Sequence, residues 1–105
     1  MIKISGFEMS IVKGILKTYV PGCEVRVFGS RVSGRPKPYS DLDLVLMAES
    51  KINRETLIKL KEAFQESSLP SRVDVLDWHR ISLEFQKIIE KGYQVIHRRV
   101  HNSKF

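Results

Sequence analysis

At 105 residues, with 42% hydrophobic and 29% charged side chains, the chain fits one small domain, residues 1–105, and has no room for a deep two-domain cleft. Lys+Arg 18 against Asp+Glu 12 gives a formal net charge of +6, which favours nucleic acid, a nucleoside triphosphate or an acidic protein without choosing among them. A single cysteine, Cys23, excludes an intrachain disulfide and a Cys-rich zinc cluster. The longest apolar run, residues 44–48, is far too short to cross a bilayer, and residues 1–10 lack the apolar block of a signal peptide, so a cytoplasmic protein with no membrane partner is expected.

In chain order, Met9, Val12, Ile15, Leu16 and Tyr19 recur at helical spacing and predict a helix over residues 9–20, ended by Pro21-Gly22. Glu24–Phe28 alternates as a half-buried strand, and Gly29-Ser30 opens a loop that runs through Gly34, Pro36 and Pro38. Residues 41–47 resume as a strand with Leu42, Leu44 and Leu46 on one face. Asn53 is a good N-cap for a helix to residue 67, with Ile52 and Leu57 as a hydrophobic staple and Leu57, Leu60, Ala63 and Phe64 as its buried stripe. A third strand over residues 72–78, a helix over 82–91 with Phe85, Ile88 and Ile89 as its apolar residues and Gly92 as its C′ residue, and a strand over 93–97 complete the pattern. From residue 98 a basic, loose tail is expected. The elements add up to an α+β or α/β domain in which flanking helices back a small mixed sheet of about four strands, with the acids on its exposed face.

Side chains two apart on a strand share a face, so Asp41 and Asp43 project together while the leucines pack behind them. Two ionised carboxylates held that close repel each other unless a cation sits between them, and oxygen-only ligands suit Mg²⁺ or Mn²⁺. Taken alone, an Asp-x-Asp is more often a solvated strand face. Asp74, flanked by Val73 and Val75, needs a cation or hydrogen bonds in so apolar a setting. If its strand pairs beside the one carrying Asp41 and Asp43, three carboxylates converge, enough for two metal ions. Asp77 falls on the opposite face and reads as a cap for the turn at Trp78 and His79.

Gly29-Ser30 sits just after a strand and leads into the strand with the acid pair. A glycine there lets backbone N–H groups approach phosphate oxygens, and the Ser30 hydroxyl adds a donor. Arg31, Arg35 and Lys37 follow as cations for a triphosphate, Arg31 the best placed.

Gly29-Ser30, ten intervening residues, then Asp41-Leu42-Asp43 resembles the signature of the DNA polymerase β-like nucleotidyltransferase superfamily, and a chain this short is similar to its minimal nucleotidyltransferase branch. The resemblance runs from the first helix to the last. It implies a nucleoside triphosphate substrate, ATP first among them, and two Mg²⁺ ions. Asp41 and Asp43 would lie on the metals, Asp74 would be third ligand and base, and Gly29, Ser30 and Arg31 would lie at the nucleotide. Family members often read Gly-Ser-Arg-Ala-Arg-Gly in this loop, whereas here Gly29-Ser30-Arg31-Val32-Ser33-Gly34 lacks the second arginine until Arg35. The branch typically pairs with a small helical protein of the HEPN type, so the resemblance implies an antitoxin that adds AMP to a partner hydroxyl, the acceptor half coming in trans. An exposed apolar patch beside the acids, with Trp78 as a candidate anchor, would go with that role.

Two other readings stay open: a nucleotidyltransferase-shaped subunit that masks a partner without catalysis, and a nucleic-acid-binding domain resting on charge alone. His97 and His101 carry ligand-like spacing but enter the tail and are left unassigned.

Overall fold

The computed structural model describes residues 4–33 and 41–99. In chain order these form α1 (Gly6–Tyr19), β1 (Glu24–Phe28), a single-turn α2 (Ser30–Ser33), β2 (Leu42–Met47), α3 (Arg54–Gln65), β3 (Val73–Asp77), a 3₁₀ turn (Trp78–Arg80), α4 (Leu83–Glu90) and β4 (Tyr93–His97). The four strands make one mixed sheet in the order β3-β2-β1-β4. β1 pairs antiparallel with β2 and β4, while β2 and β3 run parallel through the α3 crossover.

Alternation sorts the strands into two faces. Val25, Val27, Leu42, Leu44, Leu46 and Val75 turn to one side and are covered by Val12 and Leu16 of α1 and Leu57, Leu60 and Phe64 of α3. The opposite side carries Phe28 and Val45, and it is not the open face expected: α4 lies over part of it and buries Ile89 against them. A Phe28–Phe85 edge-on ring contact, centroids 5.8 Å apart, adds to that second cluster. The acids therefore occupy only the end of this face that α4 leaves uncovered.

Several local expectations shift. The first helix begins a turn early because Ser5 and Glu8 form a reciprocal capping box, with the Glu8 N–H donating to Ser5 Oγ at 3.1 Å. Ser30 to Ser33, expected as loop, closes a helical turn. Ile88, one of the apolar residues of the last helix, is 58% exposed, since an eight-residue helix lying on a sheet face turns only a narrow stripe inward. Gly92 follows the C-cap Lys91 without the left-handed conformation of a C′ glycine; among the described residues Gly29 alone is a glycine with positive φ. Arg99, expected in the loose tail, is tied to Glu49 (3.1 Å) and to the Gly22 carbonyl (3.1 Å). Trp78 is half-buried and packs on the Phe28–Val45–Ile89 cluster.

Asp77 is the buried cap anticipated from its face. Its carboxylate accepts from the Ile52 N–H (2.8 Å), the His79 N–H (3.0 Å) and Arg80 Nε (3.2 Å), joining the entry to α3 to the end of β3. Removing it strands these donors in a site where the carboxylate is 1% exposed. Asp77→Ala should cost about 2–4 kcal/mol in urea unfolding, whereas Lys59→Ala, in an exposed i,i+4 pair, should stay within about 0.5 kcal/mol.

Candidate functional site

The ends of β1, β2 and β3 that bear the motif residues meet at one end of the sheet. Register puts Asp43 of β2 directly between Phe28 of β1 and Asp74 of β3. The parallel pairing that brings Asp74 alongside begins at the strand mouth, where the Leu42 N–H donates to the Arg72 carbonyl at 2.8 Å. Asp41 is exposed and stands just before β2, a residue outside the strand expected for it.

Gly29 closes the third side. Its φ of +83° is a conformation that side-chain-bearing residues rarely adopt, and a Cβ built there would lie 2.6 Å from Asp43 Oδ2. The glycine is thus required twice, by its backbone and by the carboxylate lying against it. Ser30 then begins α2.

The electrostatics follow from this crowding. Burial, then the charges of Asp74 and Asp41, push the Asp43 carboxyl above the usual carboxylate range. Asp74 has half met its own need: Arg72 Nε donates to its Oδ1 at 3.1 Å, in a pair whose arginine is 75% exposed and therefore readily released. Among the described residues no three His, Cys, Asp or Glu side chains are drawn tightly enough to enclose a metal ion. The donor set nevertheless suits a hard divalent cation: oxygen-only, mutually repelling, and centred on a carboxyl whose ionisation the fold makes costly.

Arg31 is not the open, outward cation expected of a phosphate loop. It is 6% exposed, and its Nη2 donates to Ser71 Oγ at 2.6 Å, across forty residues of sequence. Arg35, Lys37 and His101 lie outside the described residues. His97 donates its Nδ1–H to the Cys23 carbonyl at 2.9 Å.

An open cleft of about 940 Å³ runs from Asp43 and Asp74 around the β3 edge to Lys61, Gln65 and Phe64 of α3. Sequence reasoning did not pick out Lys61, Ser71 or Arg72. Arg72 was readable, since it lies two residues before Asp74 on the same side of the chain; nothing local marks Ser71 or Lys61.

The turn at Gly29 after β1, Asp41 and Asp43 at the start of β2 and Asp74 on its parallel neighbour lie at one end of the sheet. Comparisons with known proteins give the family and the fold. The family described as "Polymerase beta, Nucleotidyltransferase" matches residues 12–102. A "Probable protein adenylyltransferase MntA" of Haemophilus influenzae is 50% identical over 95 residues, 90% of this chain and 83% of that one. Among solved structures, a toxin–antitoxin with AMP-PNP superposes with a TM-score of 0.71 at 20% identity, covering 86% of this chain and 73% of that one. A complex of tri-AMPylated Shewanella oneidensis HEPN toxin with MNT antitoxin gives 0.66 at 19% identity, over 88% and 71%. The chain belongs to the polymerase β nucleotidyltransferase family, and it has the fold of these structures.

Two outcomes follow from the site. Because the folded chain holds the Asp43 proton more tightly than the unfolded chain, Asp43 favours folding at low pH and weakens it as pH climbs through the raised value. In the absence of divalent cations Asp43→Asn should therefore melt higher than the wild type at pH 7, and the difference should vanish below the ordinary carboxylate range. Gly29→Ala should lose about 1–2 kcal/mol from the strained φ in chemical denaturation, and more activity than that loss of stability explains, since the new methyl displaces the Asp43 carboxylate.

Proposed function

We propose that this nucleotidyltransferase moves AMP from ATP to a hydroxyl on a small helical HEPN-type partner protein and so acts as an antitoxin. The observation that carries the reading is the 50% identity to a probable protein adenylyltransferase, joined to an acid constellation of the kind that reaction needs. The solved complexes with AMP-PNP and with an AMPylated HEPN toxin support the choice of nucleotide and partner by likeness of fold. Among the described residues no helix is long and apolar enough to cross a membrane. A cytoplasmic location accords with ATP as donor.

In this mechanism Asp41 and Asp43 would hold the divalent cations, two Mg²⁺ ions with Mn²⁺ as a substitute, and Asp74, freed from Arg72, would be a third ligand. When bound, the cations would supply charge neutralisation at the triphosphate and lower the pKa of the attacking hydroxyl. The Gly29-Ser30 turn offers backbone N–H groups to the phosphates at the point where a side chain would block approach. Asp74 accepts the proton of the acceptor hydroxyl. The hydroxyl oxygen then bonds to the α-phosphorus, the α–β phosphoanhydride bond breaks in line, and pyrophosphate leaves with its electron pair. Part of the cation work expected of the missing second loop arginine falls to Lys61 and Arg72, which line the same cleft.

A non-catalytic masking subunit is the second reading, favoured by the Arg72–Asp74 ion pair, which occupies an oxygen that the cation needs. Mixing the protein with a HEPN-type partner protein and Mg-ATP, then weighing both chains intact, separates the two. The proposal expects AMP adducts on the partner, lost by about a thousandfold or more in rate in Asp41→Asn and Asp43→Asn. A stable complex without adducts under any nucleotide would leave the masking role.

A further inference from the structure

The geometry points to Arg31 as a positioning residue: its buried guanidinium ties the turn after Gly29 to the mouth of β3 and so fixes Asp74 against Asp43. This rests on the reading of Asp74 as the third acid of the site.

A single-turn helix has no stability of its own. α2 is held from two sides, by Val32, which packs against the main core, and by Arg31, which is 6% exposed. A charge taken that far from water must be satisfied by protein groups, and Ser71 Oγ, 2.6 Å from Nη2, is one of its partners. The choice of partner matters more than the bond itself. Ser71 immediately precedes Arg72, whose carbonyl accepts the Leu42 N–H at 2.8 Å and whose Nε reaches Asp74 Oδ1 at 3.1 Å. One arginine thus links the segment beginning at Gly29, where an added Cβ would meet the Asp43 carboxylate, to the residues that start the β2–β3 pairing and orient the third acid. Contacts behind an acid ligand commonly tune its affinity for a cation without touching the cation. The planar fork suits such a bridge, whereas an ammonium supplies a point charge and no fixed fork. Buried in this way, Arg31 presents little surface to an incoming triphosphate, in contrast with the role that the resemblance implied for it.

The test compares wild type with Ser71→Ala, Arg31→Lys, Arg31→Met and the double variant Ser71→Ala/Arg31→Met, all as the full chain. Mn²⁺ affinity is read by electron paramagnetic resonance, and ATP affinity by calorimetry at saturating Mn²⁺. A positioning role predicts that Ser71→Ala weakens Mn²⁺ binding about tenfold and Arg31→Met about ten- to a hundredfold. ATP affinity at saturating Mn²⁺ should stay within about threefold, Arg31→Lys should fail to rescue, and the double variant should be no worse than Arg31→Met within about threefold. Ser71→Ala removes one hydroxyl at a half-buried position and alone decides the matter if the Arg31 variants do not fold. Wild-type Mn²⁺ affinity in Ser71→Ala, or lost ATP affinity with unchanged Mn²⁺ affinity in Arg31→Met, would overturn the inference while leaving the proposed function standing. A wild-type chain that binds no Mn²⁺ would overturn both.

Discussion

At one end of a small sheet the charges of Asp74 and Asp41 act against that of Asp43, and the strand register holds Asp43 there. Asp43 carries the conflict: burial and its two acidic neighbours make its ionised form costly in the folded chain. Nothing in the side chain itself keeps it in that position. Leu42, Leu44 and Leu46, each buried to 2% exposure or less, lock β2 into the sheet at about 2 kcal/mol apiece, and a one-residue slip would expose all of them. The repulsion is small beside that cost, so the register wins and the acids stay together.

The two aspartates on the face-alternating β3 make the contrast plain. Asp77 turns toward α3, is 1% exposed, and meets three donors, which makes it a structural cap. Asp74 turns the other way, is 36% exposed, and has one releasable arginine beside it. The same residue type three positions apart thus serves stability at one site and remains available for chemistry at the other. Parallel pairing through the α3 crossover is what carries Asp74 from a distant part of the sequence to the flank of Asp43.

Much of this was legible in the sequence because it depends on period-two alternation. The strands, the leucines of β2 on one face with Asp43 on the other, and the opposite faces of Asp74 and Asp77 all follow from it, and the spacing of Gly29-Ser30 to the acid pair pointed to the family; Asp41, just before β2, lies outside the alternation that placed it. The convergence with Asp74 was conditional on strand pairing, which alternation cannot reveal. What escaped notice depends on contacts far apart in sequence: the partial cover of the acid face by α4, the burial of Arg31 and its bond to Ser71 forty residues on. A loop rich in basic residues reads as solvated charge until the fold shows which guanidinium is inside. The early start of α1 is different, for the Ser5–Glu8 capping box was present in the sequence and only the apolar spacing was followed.

The account turns on whether the Asp43 charge is held in a state that a cation relieves. Titrating its side-chain carboxyl by carbon NMR, with and without Mg²⁺ and ATP, measures this directly. The account predicts a pKa above the usual carboxylate range in the free protein and one below that range once cation and nucleotide are bound. An ordinary carboxylate value that is the same in both conditions would contradict it.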